Sequence, residues 1–422
     1  MKASTSTKTA GSPSGTASTR RMRTSLFAIA AALTVVLAAC GTDNNTDSTV
    51  SSAGNAATDS AGSQSSSSAS ATESSSSADG SSTPASSGAQ SAASGFEAAG
   101  FTCATGTLRS SGSTAQGKVM AELITSYNAK CGATIGDYGG GGSGKGVTDF
   151  ITGQTDFGGS DSAMKEEDLT KAHDQRCEAT DAVNLPMVTG PVAVAFHLTG
   201  VDRLVLTPTV LSGIFGGTIT NWNDTAIAAI NPGVALPDLA IATVHRSEDS
   251  GTTDNFTKYL AAAGGWTFEG GKAWTAPGGV GAQGSDGVAK AVADTEGAIG
   301  YVEWGFAQQE KLAMAEIDNG SGPVALTAES AGKAVAAAEI VGTGGDLALK
   351  LDYATTEAGA YPVILVTYEL VCTGGNGDKA GLLKSFLGYA ATDGQALFAD
   401  LGAAPLPESI RAQVETTVKA LS

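Results

Sequence analysis

The 422-residue sequence is poor in the residues that hold metals and contact nucleic acids. Its three histidines, at positions 173, 197 and 245, are too few and too dispersed for a histidine-based metal centre, and we expect neither a metal nor a cofactor. Lysine and arginine total 24 against 42 aspartate and glutamate residues, a formal net charge of −18. Because nonspecific nucleic-acid binding depends on basic side chains that contact phosphates, this balance argues against it. Any anion site must be local, since the overall field repels anions.

The N-terminal region lacks a hydrophobic run long enough to span a membrane. Its apolar stretch, residues 26–39, is interrupted by Thr34 and is shorter than the roughly 20 residues that a spanning helix needs. Arginines at positions 20, 21 and 23 precede it, which is typical of a secretory signal peptide. The stretch ends in Leu37-Ala38-Ala39-Cys40, which resembles a bacterial lipobox. We therefore expect residues 1–40 to be a lipoprotein signal peptide with Cys40 as the lipidated residue; a short transmembrane anchor is the alternative.

Residues 41–97 lack lysine and arginine and contain almost no large apolar side chain. Serine, alanine, glycine, threonine and aspartate dominate this segment. Such a composition cannot bury enough apolar surface to offset its conformational entropy, so we expect a disordered tether. The sequence thus indicates an extracytoplasmic domain that a lipid on Cys40 anchors to the outer face of the cell membrane.

Cysteine is scarce but even in number once Cys40 is assigned to the lipid. The remaining residues are Cys103, Cys131, Cys177 and Cys372. In an oxidising compartment they are disulfide candidates, with three possible connectivities. Cys103 and Cys131 lie at what we interpret as the first two strands, over 102–108 and 131–138, so their pairing is geometrically plausible and would leave Cys177 with Cys372. Four free buried thiols are the alternative.

Strand and helix patterns alternate from residue 98 onward, which predicts an α/β fold with a mostly parallel sheet and helices on both faces. The apolar run from Val183 to Leu198 is interpreted as a crossing into a second lobe, and Tyr361 to Val371 as the return. We expect the first lobe over 98–190, the second over 191–350, and the return with C-terminal helices over 351–422. Two lobes joined by two crossings place a ligand in the cleft between them, where hinge closure buries it.

Polar loops rich in serine, threonine and glycine follow the predicted strands. Three of them, at 109–114, 139–146 and 155–162, have the composition that presents backbone N–H groups to an oxyanion. A fourth, 245–253, joins an apolar strand to a helix and carries Arg246 among hydroxyl side chains. A helix N-terminus with hydroxyls and an adjacent arginine is a small-anion receptor.

Other interpretations compete for these loops. Residues 139–145 satisfy the G-x-x-x-x-G-K pattern of a nucleotide-binding loop, but Gly146 replaces the Ser or Thr that binds Mg²⁺. Ser250 with His245 could indicate a secreted serine hydrolase, although the spacing does not itself join imidazole to hydroxyl and an orienting carboxylate is still needed. The simplest alternative assigns every serine, threonine and glycine to helix caps and turns.

Taken in order, the loops carry a family resemblance. Residues 245–252, His-Arg-Ser-Glu-Asp-Ser-Gly-Thr, resemble the His-Arg-Ser-Asp-Gly-Ser-Gly-Thr loop of periplasmic phosphate-binding proteins, the receptor subunits of phosphate ABC transporters. Further similar segments are Gly-Ser-Thr at 112–114, Gly-Ser-Gly-Lys-Gly-Val at 142–147, Thr-Asp-Phe-Gly-Gly-Ser-Asp at 155–161, Thr-Asn-Trp-Asn-Asp at 220–224 and Gly-Ala-Ile-Gly-Tyr-Val-Glu at 297–303. The resemblance covers about residues 105–420. It implies a two-lobed periplasmic-binding-protein fold (type II-like) and a monomer that catalyses no reaction, with phosphate and an ABC permease as partners.

The resemblance also implies a ligand set. Carried over by position, the phosphate-binding residues are Thr114, the backbone of Ala115, Ser143, Asp161, Arg246, Ser250, Gly251 and Thr252. Arg246 is the only fixed positive charge that the sequence places there. Glu248-Asp249 replaces the family's Asp-Gly, so Glu248 would pair with Arg246 while the extra charge of Asp249 would have to face solvent. A second departure is the segment Ala115-Gln116-Gly117, which is less apolar than in the family.

Asp161 is the residue expected to distinguish phosphate from sulfate. Phosphate at neutral pH keeps a proton that a carboxylate can accept, whereas sulfate would face that carboxylate as a buried repulsion of roughly 1–3 kcal/mol. A single aspartate can therefore act as a filter against the wrong anion. A receptor for another tetrahedral oxyanion, sulfate or molybdate, is the alternative within the binding class.

Overall fold

The computed structural model describes residues 95–422. The predicted signal peptide, the lipidation site Cys40 and nearly all of the predicted tether lie outside the described residues. The fold has begun by residue 95, slightly before the predicted end of the tether at 97, because Gly95–Ala98 form a short helix whose Phe96 is fully buried.

The helices follow one another along the whole described chain. They are α1 (Gly95–Ala98), α2 (Gly117–Cys131), α3 (Ser143–Ile151), α4 (Glu166–Gln175), α5 (Pro208–Phe215), α6 (Thr225–Ile230), α7 (Gly251–Ala263), α8 (Gly284–Ala293), α9 (Trp304–Gln309), α10 (Ala328–Ala336), α11 (Ala380–Ala391) and α12 (Glu408–Ala420). Single 3₁₀ turns lie at Gly377–Lys379, Asp393–Leu397 and Ala399–Leu401. On α12, Ile410, Val414 and Val418 recur at helical spacing and are buried, as the sequence pattern predicts.

Strands alternate with these helices. They are β1 (Ser110–Gly112), β2 (Phe157–Ser160), β3 (Ala182–Phe196), β4 (Val205–Leu206), β5 (Ala242–Arg246), β6 (Val280–Ala282), β7 (Ala298–Glu303), β8 (Ala313–Met314), β9 (Glu316–Asp318), β10 (Pro323–Val324), β11 (Glu339–Ile340), β12 (Leu349–Lys350) and β13 (Ile364–Cys372). The main sheet has the order β1-β2-β13-β3-β7-β5-β6, and β8 pairs with β3.

This sheet is mixed, not mostly parallel as the sequence suggested. Its outer pairs, β1 with β2 and β5 with both β6 and β7, are parallel. The central strands β3 and β13 are antiparallel to each other, and each is antiparallel to its outer neighbour. The reason is topological: one strand leaves the first lobe and the other returns to it, so the two crossings run in opposite directions.

Two separate hydrophobic cores lie at the two ends of these crossing strands. Val183 to Val188 on β3 and Val371 on β13 belong to a core shared with α2, α11 and α12, which we call the first lobe. Val192 to Phe196 on β3 and Leu365, near the start of β13, belong to a core shared with α5, α7 and α8, the second lobe. The two-lobed α/β fold predicted from the sequence is therefore present, and β3 with β13 forms the double connection between the lobes.

The first two predicted strands are placed incorrectly. Residues 102–108 and 131–138 are irregular, with Cys131 ending α2, and the strand begins only at Ser110. Gly139 adds a single bridge to Ser111. Gly106, within the first predicted segment, has a φ of +134°, a backbone conformation that favours glycine.

Two disulfides join distant parts of the first lobe. Cys103 bonds Cys131, and Cys177 bonds Cys372, which is the pairing considered plausible from the sequence. The second links residues 195 positions apart and fixes the end of β13 beside the start of β3, where Cys372 pairs with Ala182. Among residues 95–422, no helix is both long enough and apolar enough to cross a membrane.

Candidate functional site

The polar loops converge where strands of both lobes end. Ser113 directly follows β1 and Asp161 directly follows β2, and because these two strands are parallel their carboxyl ends lie at the same edge of the sheet. Ser143 is the first residue of α3. From the second lobe, Arg246 ends β5 and Gly251 begins α7. The sequence order strand, polar loop, helix thus places all these residues at one cleft.

Asp161 is a buried carboxylate of this cleft. The residue is 3% exposed, and three hydroxyl groups donate hydrogen bonds to its carboxylate. Ser113 Oγ lies 2.5 Å and Thr367 Oγ1 2.7 Å from Oδ1, while Ser143 Oγ lies 2.9 Å from Oδ2. Burial raises the pKa of the Asp161 carboxyl; these hydrogen bonds oppose the rise, and the charge of Glu303 adds to it. Asp161 is therefore a strongly hydrogen-bonded acceptor inside the protein.

Arg246 is the matching buried cation on the second lobe, with a residue exposure of 2%. Its guanidinium donates to Thr252 Oγ1 at 3.2 Å and, across the cleft, to Thr114 Oγ1 at 2.7 Å. Arg246 Nε also donates to Glu248 Oε1 at 2.7 Å, so Glu248 is the carboxylate that pairs with it, as the sequence predicted. Burial raises the pKa of Glu248, but the charge of Arg246 and its hydrogen bonds outweigh burial and lower it.

Hydrogen bonds connect the two lobes directly across the cleft. Gly251 N donates to Ser143 Oγ at 3.1 Å, and Asn255 Nδ2 donates to the carbonyl oxygen of Asp161 at 2.7 Å. Gly144 N donates to the carbonyl oxygen of Asp249 at 3.2 Å. The structure is thus a closed arrangement, and a ligand that enters the cleft must replace some of these contacts while the lobes are apart.

Gly251 is the point of closest approach. A Cβ at this position would lie 2.5 Å from both Ser143 Oγ and Asp161 Cβ, well inside van der Waals contact. The need for glycine here is therefore steric and arises from lobe closure.

Each residue predicted from the resemblance lies at this cleft, although several have structural partners as well. Ala115 N donates to Ser113 Oγ at 3.1 Å, and Thr252 Oγ1 donates to Glu303 Oε1 at 2.5 Å. Ser250 is the N-cap of α7, since its Oγ accepts from Thr253 N at 3.3 Å. Asp249 is exposed, so solvent screens its additional negative charge from the ligand site.

Sequence reasoning missed four contributors: Ser113, Ser285, Glu303 and Thr367. Ser285, at the start of α8, lies 3.0 Å from Thr114 Oγ1, and Glu303 is held by Thr252. A signal for Thr367 was present. Thr367 and Glu369 interrupt an otherwise apolar strand two residues apart, so both face the same side of the sheet.

The residues of the competing interpretations have other roles. The ring of His245 stacks on Trp274 with centroids 5.0 Å apart, and its Nδ1 lies 2.9 Å from the carbonyl oxygen of Arg246. Ser250 is fully buried in its capping role. Lys145, of the nucleotide-loop pattern, forms an ion pair with Asp149 one helical turn on. Across residues 95–422, no group of three or more His, Cys, Asp or Glu side chains is placed to hold a metal ion.

Lysine side chains lie at the mouth of the cleft, outside the predicted ligand set. Lys272 lies at the cleft mouth, in a cavity of about 650 Å³ that Lys165, Asp168, Asp249, Asp254 and Lys258 also line. Its carbonyl oxygen accepts a hydrogen bond from Ser250 N at 2.9 Å. Burial lowers the pKa of the Lys272 ammonium, and the charges of Asp254, Asp168 and Asp161 oppose that shift. Both signs of charge therefore line the entrance, where the acidic residues Glu167, Asp168, Asp249 and Asp254 outnumber the three lysines.

Chemically, the cleft combines donors with one strong acceptor. Arg246, the hydroxyls and the N–H group of Gly251 suit the oxygens of a small anion, and a guanidinium is the best such partner because it can bind two oxygens at once. Asp161 suits an O–H group on that anion. Two lobes, a double-strand connection and a polar cleft define a solute-binding protein.

Comparison with known proteins identifies the family. Residues 66–393 match the PBP superfamily domain. Phosphate-binding protein PstS 3 of Mycobacterium tuberculosis is 41% identical over 323 residues, covering 75% of this chain and 87% of the relative. Phosphate-binding protein PstS 2 of the same species is 41% identical over 330 residues, with the same coverage. The chain therefore belongs to the PBP superfamily and, within it, to the family of PstS phosphate-binding proteins.

Solved structures agree on the fold. A high affinity periplasmic phosphate-binding protein, PfluDING, bound with phosphate, matches with a TM-score of 0.60 and 21% identity, covering 74% of this chain and 93% of that chain. At this identity the likeness supports the two-lobed fold alone.

Gly251→Ala tests whether the cleft needs this close approach. The added methyl group would meet Ser143 and Asp161, so we expect the lobes to stay apart. Binding groups on one lobe would then be out of reach of the ligand on the other, and phosphate affinity should fall at least about tenfold. Small-angle scattering with phosphate present should give a larger radius of gyration than the wild type.

Gly117→Ala is the matched control, because Gly117 is likewise the first residue of a helix but has open space around it. It should bind phosphate and close like the wild type. Normal closure and affinity in Gly251→Ala would contradict the packing described here.

Proposed function

We propose that this chain is an extracytoplasmic receptor that binds inorganic phosphate in the cleft and delivers it to an ABC-type import permease. The observation that carries the proposal is the pairing of a buried acceptor, Asp161, with a buried donor, Arg246, on opposite walls of one cleft. The names of the 41%-identical relatives support the same ligand. The chain binds its ligand without transforming it.

The proposed ligand contacts come from both lobes. Thr114, the backbone of Ala115, Ser143 and Asp161 contribute from the first lobe, and Arg246, Ser250, Gly251 and Thr252 from the second. Hydroxyl and N–H groups that now bond one another across the cleft would turn to phosphate oxygens. Because donors then come from both walls, ligand binding favours the closed arrangement over the open one.

Asp161 gives this site its selectivity. Its three hydroxyl partners orient the carboxylate and occupy several of its lone pairs, and a protonated phosphate oxygen can donate to another. Sulfate has no proton at neutral pH, so its oxygens would meet the same carboxylate without a hydrogen bond. Discrimination therefore depends on the ligand's proton and not on its size or shape.

The membrane arrangement is a separate part of the proposal. Cys40 is lipidated and residues 41–97 act chiefly as a tether, so the folded lobes are held at the outer face of the cell membrane as a monomer. We keep the lobe boundaries of the sequence analysis, 98–190, 191–350 and 351–422, of which the first lies inside the crossing strand β3. The short basic-apolar N-terminus and the lipobox-like Leu-Ala-Ala-Cys support this arrangement.

Asp161→Asn tests the ligand assignment. Replacing the carboxylate by an amide removes the repulsion of sulfate, worth roughly 1–3 kcal/mol, so the ratio of phosphate to sulfate affinity should fall by about 5- to 150-fold. Equilibrium binding of labelled phosphate with sulfate as competitor measures this ratio.

Asp249→Asn is the control, since Asp249 carries the same charge at the cleft mouth but is exposed. It should keep the wild-type ratio. Displacement of phosphate from the wild type by equimolar sulfate would mean that another tetrahedral oxyanion, such as sulfate or molybdate, is the ligand.

Cys40→Ala tests the anchor. Without the thiol no lipid can be attached, so the protein should leave the membrane fraction and incorporate no labelled fatty acid. A Cys103→Ala/Cys131→Ala double variant, which loses a disulfide but keeps Cys40, should still be labelled. Label that persists in Cys40→Ala would exclude the lipoprotein assignment.

A further inference from the structure

A second buried acid lies close behind the cleft. Glu369, on β13, is 0% exposed, and neither of its carboxylate oxygens has a hydrogen-bond partner among residues 95–422. A charged carboxylate without a partner is among the least favourable groups to bury, and neutralisation is its usual response. The phosphate contacts proposed above do not include Glu369.

Glu369 lies in a small polar cluster with Tyr138 and Gln116. Its antiparallel partner on β2 is Gly159, and a Cβ at Gly159 would be 2.1 Å from Tyr138 Oη and 2.4 Å from Gln116 Nε2. Directly opposed residues of two strands project to the same face, so the Glu369 side chain lies on the same side of the sheet as these two groups. The absence of a side chain at Gly159 makes room for the cluster.

The hydrogen bonds of this cluster balance if Glu369 is a neutral acid. Gln116 Nε2 donates to Tyr138 Oη at 3.1 Å, while Gln116 Oε1 is buried without a donor. The O–H of a protonated Glu369 can donate to Gln116 Oε1, and the tyrosine O–H can donate to the remaining Glu369 oxygen. An ionised Glu369 has no O–H to donate, so Gln116 Oε1 and the carboxylate oxygens would compete for too few donors.

The cluster is coupled to the proposed ligand site through two strands. Thr367, two residues before Glu369 on the same face of β13, donates to Asp161 Oδ1 at 2.7 Å. Asp161 itself lies two residues beyond Gly159. Two residues of strand span about 7 Å, so a charge on Glu369 acts on Asp161 and its ligand at short range inside the protein.

We propose that Glu369 holds a proton while phosphate is bound, and that loss of this proton weakens phosphate binding, which makes Glu369 the residue that limits phosphate retention in alkaline conditions. The inference rests on the proposed phosphate function. Its physical basis is repulsion: an ionised Glu369 would be a second negative charge beside Asp161 and an anionic ligand.

Among the residues that the structure describes, the charged and titratable groups around Glu369 give no compensating cation. Asp161 follows β2, and its charge raises the pKa of Glu369. Tyr138 precedes α3, and the charge of Glu369 raises the pKa of its hydroxyl. On the packed helices, Lys145 of α3 is paired with Asp149, and Lys118 of α2 donates to the carbonyl oxygen of Gly305 at 2.9 Å. Glu303 on β7 adds a further negative charge near Asp161.

The raised pKa of Glu369 agrees with this geometry. Burial raises the pKa of Glu369 to about 8; Gln116 beside it lowers the pKa, and the charge of Asp161 raises it. Gln116 nevertheless makes no well-directed N–H bond to the carboxylate. An acid with a raised pKa is neutral below the raised value and ionised above it, so the contribution of neutral Glu369 is present below about pH 8 and lost as the pH rises through that value.

Glu369→Gln tests the proposal in the full chain, because glutamine imitates the neutral acid and cannot ionise. Titration calorimetry with inorganic phosphate from pH 6.5 to 9.5 should give equal affinities at the acidic end. At the alkaline end the wild type should bind at least about tenfold more weakly than the variant. The ionisation of phosphate itself is common to both proteins and cancels in the ratio. Glu122→Gln, an exposed acid of the first lobe, should follow the wild type throughout.

Infrared spectroscopy gives a readout that does not depend on phosphate. At pH 7 the wild type should show a buried carboxylic-acid carbonyl band that is missing from Glu369→Gln. Parallel affinity curves for the two proteins, or the absence of that band, would overturn the inference while leaving the phosphate function intact. Failure of both proteins to bind phosphate at pH 6.5 would instead overturn the proposed function, and the inference with it.

Discussion

The burial of the Asp161 carboxylate is the constraint on which the site depends. A buried carboxylate has to be compensated by hydrogen bonds, and here the donors come from three different segments of the first lobe: Ser113, Ser143 and Thr367. To bring them together, β1 and β2 must be adjacent and parallel, and β13 must return beside β2. The sheet order is thus what makes this acceptor possible.

The same arrangement connects the site to the motion of the lobes. Thr367 belongs to β13, one of the two strands that join the lobes, while the second-lobe groups Gly251 and Asn255 reach Ser143 and the carbonyl oxygen of Asp161. A ligand that engages both walls therefore stabilises closure, and closure in turn excludes water from the buried acceptor. Glycine at 251 is the steric condition for that approach.

Local patterns in the sequence predicted much of this structure. The strand-loop-helix at 242–263, the crossing strand near 183–198 and the convergence of the Ser/Thr/Gly loops follow from hydrophobic periodicity and capping residues. Long-range pairing did not follow from them: the antiparallel central strands, and the approach of Thr367 and Ser285 to the site, depend on which strands become neighbours. The misplaced strands at 102–108 and 131–138 failed for the same reason, because neither segment pairs with a strand of the sheet.

A crystal structure of the protein with phosphate tests the central claim most directly. The account predicts one phosphate between the lobes, with Arg246 and Gly251 N donating to its oxygens and an Asp161 oxygen within hydrogen-bond distance of one of them. Phosphate bound elsewhere on the molecule, or bound in the cleft with Asp161 turned away from it, would contradict the account.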